Sequence, residues 1–283
     1  MQPPILLDGS LIAATGFQFD WEFFFDFVFT PSSALLGGLA ITIYASIVAQ
    51  SMGVILGTLS ALGGMSRSRV IRGISGGYVW FFRGTPVLVQ MFLIYFGTPY
   101  LLGGLDLFPN NIEVGWFSLR GAVIAGTVAL GINEGAYMSE IVRAGILSVD
   151  PGQTEAAKSL GMTYGLTMRR IVLPQALRVI IPPLGNEFNN MLKTTSLMSV
   201  IAVQEIFRVA QAANSATFKT FEAYLGVALY YLALTTIWSA IQGRIERRLG
   251  ASAGGEKQKG FLERLVGLRK PASKPGEIAV GDH

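Results

Sequence analysis

Few side chains in this sequence can make or break covalent bonds. Its 283 residues contain no cysteine, and the single histidine is the terminal His283. Disulfides, thiolate metal sites and histidine catalysis within the apolar body are thereby excluded. No GxxxxGK[ST] phosphate loop occurs, so any driving energy comes from a partner or a gradient. Paired carboxylates fare no better. Glu134 and Glu140 are the candidates on one helix-forming stretch, and at six residues' separation they point about 120° apart. What remains is hydrogen bonding and charge placed in apolar surroundings.

Glu134 is the sharpest case, because a charge at the centre of a bilayer costs about 2.5–3.5 kcal/mol even on the lenient insertion scale. Asn133, Tyr137 and Glu140 recur at helical spacing and share one face. Asn186, Asn189, Asn190 and Lys193 repeat at three- and four-residue intervals, followed by Thr194 and Ser196. Such stripes face a bundle interior or a water-filled path rather than lipid. In a path they offer donors and acceptors to a zwitterion. In an interior they bond helix to helix, with Glu140 pairing Arg143 or Glu187 pairing Lys193. Arg83-Gly84-Thr85-Pro86 reads as a hinge with Arg83 at its lip, or as a proline kink with a snorkelling arginine.

A different chemistry belongs to Asp150–Pro174. Asp150 is placed to cap a helix, Pro151 to open it, and Gln153 to complete a capping-box-like pair. Ala156, Ala157 and Leu160 make a narrow face, and Gly161 stands where a left-handed residue ends the helix. At about ten residues, roughly 15 Å, this helix is too short and too polar to span a bilayer but suits a groove on another protein.

The elements that position these residues are apolar. With 51% hydrophobic residues, 14% charged and a mean hydropathy of +0.48, the chain is a membrane protein rather than a soluble domain. Five spans are expected, at 33–62, 78–102, 119–143, 180–206 and 221–243. The fourth should begin or kink at Pro182-Pro183. All 22 Lys and Arg except Arg120, Arg208 and Lys219 sort to one face. The positive-inside rule makes that face cytoplasmic, with the N-terminus out and the C-terminus in. The net charge of +4 is therefore topological and no sign of nucleic acid. Residues 1–32 form an extracytoplasmic segment without a basic n-region, hence no signal peptide, and Trp21 to Phe29 suggests an interfacial helix. Residues 33–248 form the membrane domain, with a cytoplasmic loop at 144–179. Residues 249–283 read as a mostly disordered tail, with a short helix near Phe261 to Leu268 and basic residues for lipid heads. Gly53xxxGly57 and Gly131xxxGly135 permit close helix contacts.

Glu155-Ala156-Ala157, with Gly161 six residues after the Glu, then Ile171 and Leu173-Pro174, resembles the EAA loop of ABC-importer permeases. Over roughly residues 33–245 the likeness narrows to the polar amino-acid branch, of histidine and glutamine type. It is carried by Arg83-Gly84-Thr85-Pro86 with Gln90, Ala136 to Glu140 with Arg143 and Gly145, Pro174 to Arg178, Asn186-Glu187-Phe188, and Lys193 with Thr195-Ser196-Leu197. The resemblance implies an all-α, five-helix, type I importer fold in which Glu155, Ala156, Ala157 and Gly161 couple to an ATPase. It implies two ATPase subunits holding ATP and Mg, a second permease, identical or similar, and an extracytoplasmic binding protein. It implies no cofactor or metal on this chain. A polar amino acid would be imported across a bacterial inner membrane by alternating access. The alternative is a gradient-driven transporter or channel using Glu134 as a protonatable relay. Two departures stand out: Thr194 where relatives commonly place an acid, and Glu134 where they place a small or neutral polar residue.

Overall fold

The computed structural model describes residues 18–109, 112–114 and 117–250. The tail helix expected near Phe261 lies outside the described residues. Helix α1, Trp21–Phe29, begins where the Asp20 carboxylate accepts the Phe23 N–H at 2.8 Å. Helix α2, Ser33–Gly64, is capped by Ser32 through the Leu35 N–H. The next stretch is broken. Helix α3, Arg69–Gly84, stops at extended Thr85-Pro86, and α4, Val87–Phe92, restarts beyond it. A π-helical turn at Leu93–Gly97 leads to α5, Thr98–Leu101, and the two halves meet at 105°. The span expected at 78–102 thus straddles the bend of an element that starts at Arg69.

A short antiparallel hairpin follows, β1 Ile112–Val114 with β2 Phe117–Leu119, pairing Ile112 with Leu119. It adds two three-residue strands to an otherwise helical fold and delays the next helix, α6, to Gly121–Leu147. Then come α7, Pro151–Ser159, and α8, Tyr164–Thr167, with a π turn at Met168–Val172. Helix α9 covers Leu173–Thr194, giving way to a 3-10 stretch at Thr195–Ile201. Ala202 turns the chain in the left-handed region at φ 62°, and α10, Ile206–Thr217, and α11, Thr220–Leu249, are the last helices among the described residues.

The fourth element corrects the expectation of 180–206 at both ends. Pro182 and Pro183 lie inside α9 rather than at its start. α11 braces this stretch: Gln242 Nε2 donates to the Pro182 carbonyl at 3.2 Å, and Trp238 Nε1 donates to that of Gly185 at 2.8 Å. External donors of this kind let membrane helices tolerate proline.

Helices α2 and α6 form the centre, side by side and running in the same direction. Their contact is glycine-lined. A Cβ on Gly53 would fall 2.5 Å from Glu134 Cγ, and one on Gly57 would fall 2.3 Å from Met138 Cβ. Around this axis Ala45, Ala49, Met91, Leu130 and Met198 build the main core. Ala61, Val142, Ala176 and Ile180 build a second core toward the end that bears α7.

By length and composition α2 and α11 can cross a membrane, and α3 with Val87–Leu101 is a third span if the bent pair counts as one. The 27 residues of α6 and 22 of α9 are long enough but less apolar. Part of the reason is that their polar groups meet other helices instead of lipid.

Candidate functional site

Helix α7 is closed at both ends by its own residues. Asp150 Oδ1 accepts the Gly152 N–H at 2.7 Å, while Gln153 contributes its main-chain N–H to the Asp150 carbonyl at 3.0 Å. The cap therefore works through Asp150 and the backbone rather than a reciprocal side-chain pair. At the other end Gly161 sits at φ +73°. Its N–H reaches the Lys158 carbonyl at 2.9 Å and the Met162 N–H reaches that of Ala157 at 3.0 Å, the paired bonds of a Schellman ending. Ala157 is buried, whereas Glu155, Ala156 and Gly161 are exposed, as are Leu160 at 82% and Tyr164 at 71%. The narrow face thus divides: Ala157 anchors the helix and the other residues face outward.

The Arg83–Pro86 corner packs against α6. Pro86 has no N–H for the Phe82 carbonyl, which instead accepts Gln90 Nε2 and Asn133 Nδ2, each at 3.0 Å. The Arg83 guanidinium lies 5.4 Å from the Tyr137 ring centroid. Asn133 and Tyr137 thus meet one partner, as their shared face predicts.

Glu134 points the other way. It is 6% exposed and accepts Gln50 Nε2 at 3.1 Å, with its stem in the notch left by Gly53. Tyr137 is exposed. On α9, Asn186, Asn190 and Lys193 are also exposed, and Thr194 and Ser196 are half-buried. Asn186 Oδ1 accepts Gln242 Nε2 at 3.3 Å, and Asn189 Nδ2 donates to Ser239 Oγ at 3.4 Å. Part of this stripe therefore joins α9 to α11, and the rest is open.

Among the described residues the ion pairs are Arg143–Glu140 at 2.7 Å and Lys219–Asp20 at 2.5 Å. The expected Glu140 pairing stands, and Glu187 with Lys193 is not among them. The Arg143–Glu140 pair lines a cavity of about 400 Å³ between α2, α3 and α6, floored by Ser60 and Ser139. Asp20 is held below its ordinary value of 3.8, first by the Lys219 hydrogen bond and then by the Phe23 N–H. No group of three or more metal-ligating side chains occurs among the described residues.

Two polar residues escaped the sequence reading. Gln50 could have been found as an amide inside an otherwise apolar helix. Glu205, fully buried, caps α10 by accepting the Phe207 and Arg208 N–H groups at 2.8 and 2.7 Å, and it also accepts the Tyr231 hydroxyl at 3.0 Å. An acid just before a helical run was its signal.

A family model described as the binding-protein-dependent transport system inner membrane component matches residues 53–251. A probable amino-acid permease of Bacillus subtilis (strain 168) is 40% identical over 230 residues, 81% of this chain and 96% of that one. An arginine transport system permease of Corynebacterium glutamicum is 38% identical and covers 97% of this chain and 84% of its own. Among solved structures, an amino acid ABC transporter with histidines is 40% identical, with a TM-score of 0.66 over 76% of this chain and 94% of that one. A methionine ABC transporter, at 15% identity and a TM-score of 0.60, shares the fold over 76% of this chain and 95% of its own.

Proposed function

Because this chain belongs to the family of binding-protein-dependent transport system inner membrane components, we propose that it is a membrane-spanning subunit of an ATP-driven importer of a polar amino acid. It is a multi-pass inner-membrane transport subunit and not itself an enzyme. The observation that carries the reading is α7, a capped helix whose Glu155, Ala156 and Leu160 are left open to a partner. That partner is the ATPase, which binds ATP and Mg. Two ATPase copies, a second permease and an extracytoplasmic binding protein complete the assembly.

Five spans run from an outer N-terminus to an inner C-terminus. The packing supports this sidedness, because Asp20 and Lys219, both assigned outside, meet in one ion pair. The path follows the open face of Tyr137, Asn186, Lys193, Thr194 and Ser196, with Asn189 securing α9 beside it. Glu134 stands behind that face and acts through its charge. Alternating access needs two arrangements of the bundle that bind the substrate differently. Closure of the ATPases would draw two α7 helices together and open the path outward.

Uptake of labelled amino acids into vesicles tests this. The chain with its ATPase and binding protein accumulates substrate only with ATP. Accumulation by this chain alone under a proton gradient would overturn the reading in favour of a gradient-driven carrier.

A further inference from the structure

We propose that Gln90 and Asn133 are positioning residues that weld the Arg83–Pro86 corner to α6, making it a fixed elbow that holds Arg83 over Tyr137. A hinge absorbs motion by changing backbone angles, and its freed polar groups must find new partners in each state. This corner is committed to one set. Gln90 is 3% exposed, and its two Nε2 protons are shared among the Phe82 and Thr85 carbonyls at 3.0 Å each and Thr85 Oγ1 at 2.7 Å. The Thr85 hydroxyl in turn donates to the Phe81 carbonyl at 2.8 Å. The last carbonyls of α3 are thus capped by side chains from both sides of the break.

Asn133 carries the corner across to α6. Its Nδ2 donates to the Phe82 carbonyl and to Gln90 Oε1, both at 3.0 Å, closing a three-membered ring of contacts. One turn earlier on α3, the Tyr78 hydroxyl donates to the Ile132 carbonyl at 2.6 Å. Gly135 makes room for that phenol, since a Cβ there would fall 2.4 Å from its oxygen. Tyr78, Phe82 and Arg83 therefore meet Ile132, Asn133 and Tyr137 in order. By contrast Val70 and Ile74, nearer the start of α3, are each 70% exposed. Thr85 and Pro86 are in ordinary extended conformations, so no strain is stored for release.

The inference rests on the transport reading only for the cycle during which the elbow is held. The chain has no cysteine, so spin labels at Ile74→Cys and Tyr100→Cys report on the corner alone within this subunit. Both positions are exposed, one on each side of it. In the complex reconstituted with its ATPase, with labelled subunits diluted by unlabelled ones, the distance stays narrow and unchanged by nucleotide. A mean distance that shifts with ATP overturns the proposal. Gln90→Ala with Asn133→Ala broadens the distribution and lowers maximal uptake about tenfold, with KM within about twofold. A distribution as narrow as the unaltered one overturns it. An unaltered complex without amino-acid uptake removes the transport reading alone and leaves the distances interpretable.

Discussion

Gly161 shows how one residue can matter without touching its neighbours. No atom lies within 4 Å of where its Cβ would be, yet its φ of +73° resists any L side chain. Gly161→Val imposes about 1–2 kcal/mol of local strain and reshapes the end of α7. The variant is expected to insert and assemble, while the ratio of ATP hydrolysed to amino acid moved rises. An unchanged ratio in reconstituted vesicles would remove Gly161 from the coupling surface. Glu134 poses the opposite problem, being enclosed by Gln50 and the Gly53 notch. Glu134→Gln keeps its shape and an oxygen for Gln50 while removing the charge. If the charge acts on the path, relative uptake of cationic, neutral and acidic amino acids shifts. Rates unchanged from those of the unaltered protein in all three classes would leave Glu134 as packing.

Between elements, the α2–α6 contact depends on missing side chains. A Cβ on Gly57 would meet Met138 Cβ at 2.3 Å and two backbone atoms, Ser139 N at 2.8 Å and the Gly135 oxygen at 2.9 Å. Backbone atoms of packed helices cannot step aside, so Gly57→Ala should destabilise by about 1–3 kcal/mol. Gly37, on the same helix, has nothing within 4 Å, and Gly37→Ala should be neutral or stabilising through helix propensity. Equal thermal midpoints for the two variants in detergent would refute this packing account. Helix α1 is attached differently. The Asp20 N–H donates to Glu222 Oε1 at 2.8 Å, and the Asp20 carboxylate pairs with Lys219. The pairing lowers the folded value of Asp20 below 3.8. Its stabilising contribution is therefore present above that value and is lost as pH falls through the lower, folded one. Hydrogen exchange at α1 should rise at that acid end, and Lys219→Met should weaken the dependence while the Phe23 N–H bond keeps part of it. A dependence that Lys219→Met leaves unchanged would assign it to another group.

For the whole molecule, the proposed sidedness requires Asp20 and Lys219 to lie on one side, and they pair where the N-terminal segment meets the α10–α11 connection. Ala61, Val142, Ala176 and Ile180 form a core at the opposite end of the bundle. Reporter tags at position 110 and near position 255 should therefore lie on opposite sides of the membrane. Both tags on one side would sink the five-span arrangement.

Local signals in the sequence determined helix α7. Asp150, Pro151 and Gly161 act through their own backbone and need no distant neighbour. The glycine spacings at 53, 57, 131 and 135 likewise announced a close helix contact, since nothing but a facing helix gains from them. The long apolar runs made the chain a membrane protein, because burial in lipid depends on composition. Three things were decided only in three dimensions. Pro182 and Pro183 looked like a helix start, and support from Gln242 and Trp238, more than fifty residues away, accompanies them inside α9. Glu134 and Tyr137 were both candidates for the path, but α2 covers the first and leaves the second open. Pro86 marked a break, yet whether a break bends or holds depends on who answers its orphaned carbonyl. Here the answer comes from Gln90 just beyond the break and from Asn133, 51 residues past Phe82. A sequence lists its donors and acceptors in order along the chain, and only the fold brings distant ones within hydrogen-bonding distance.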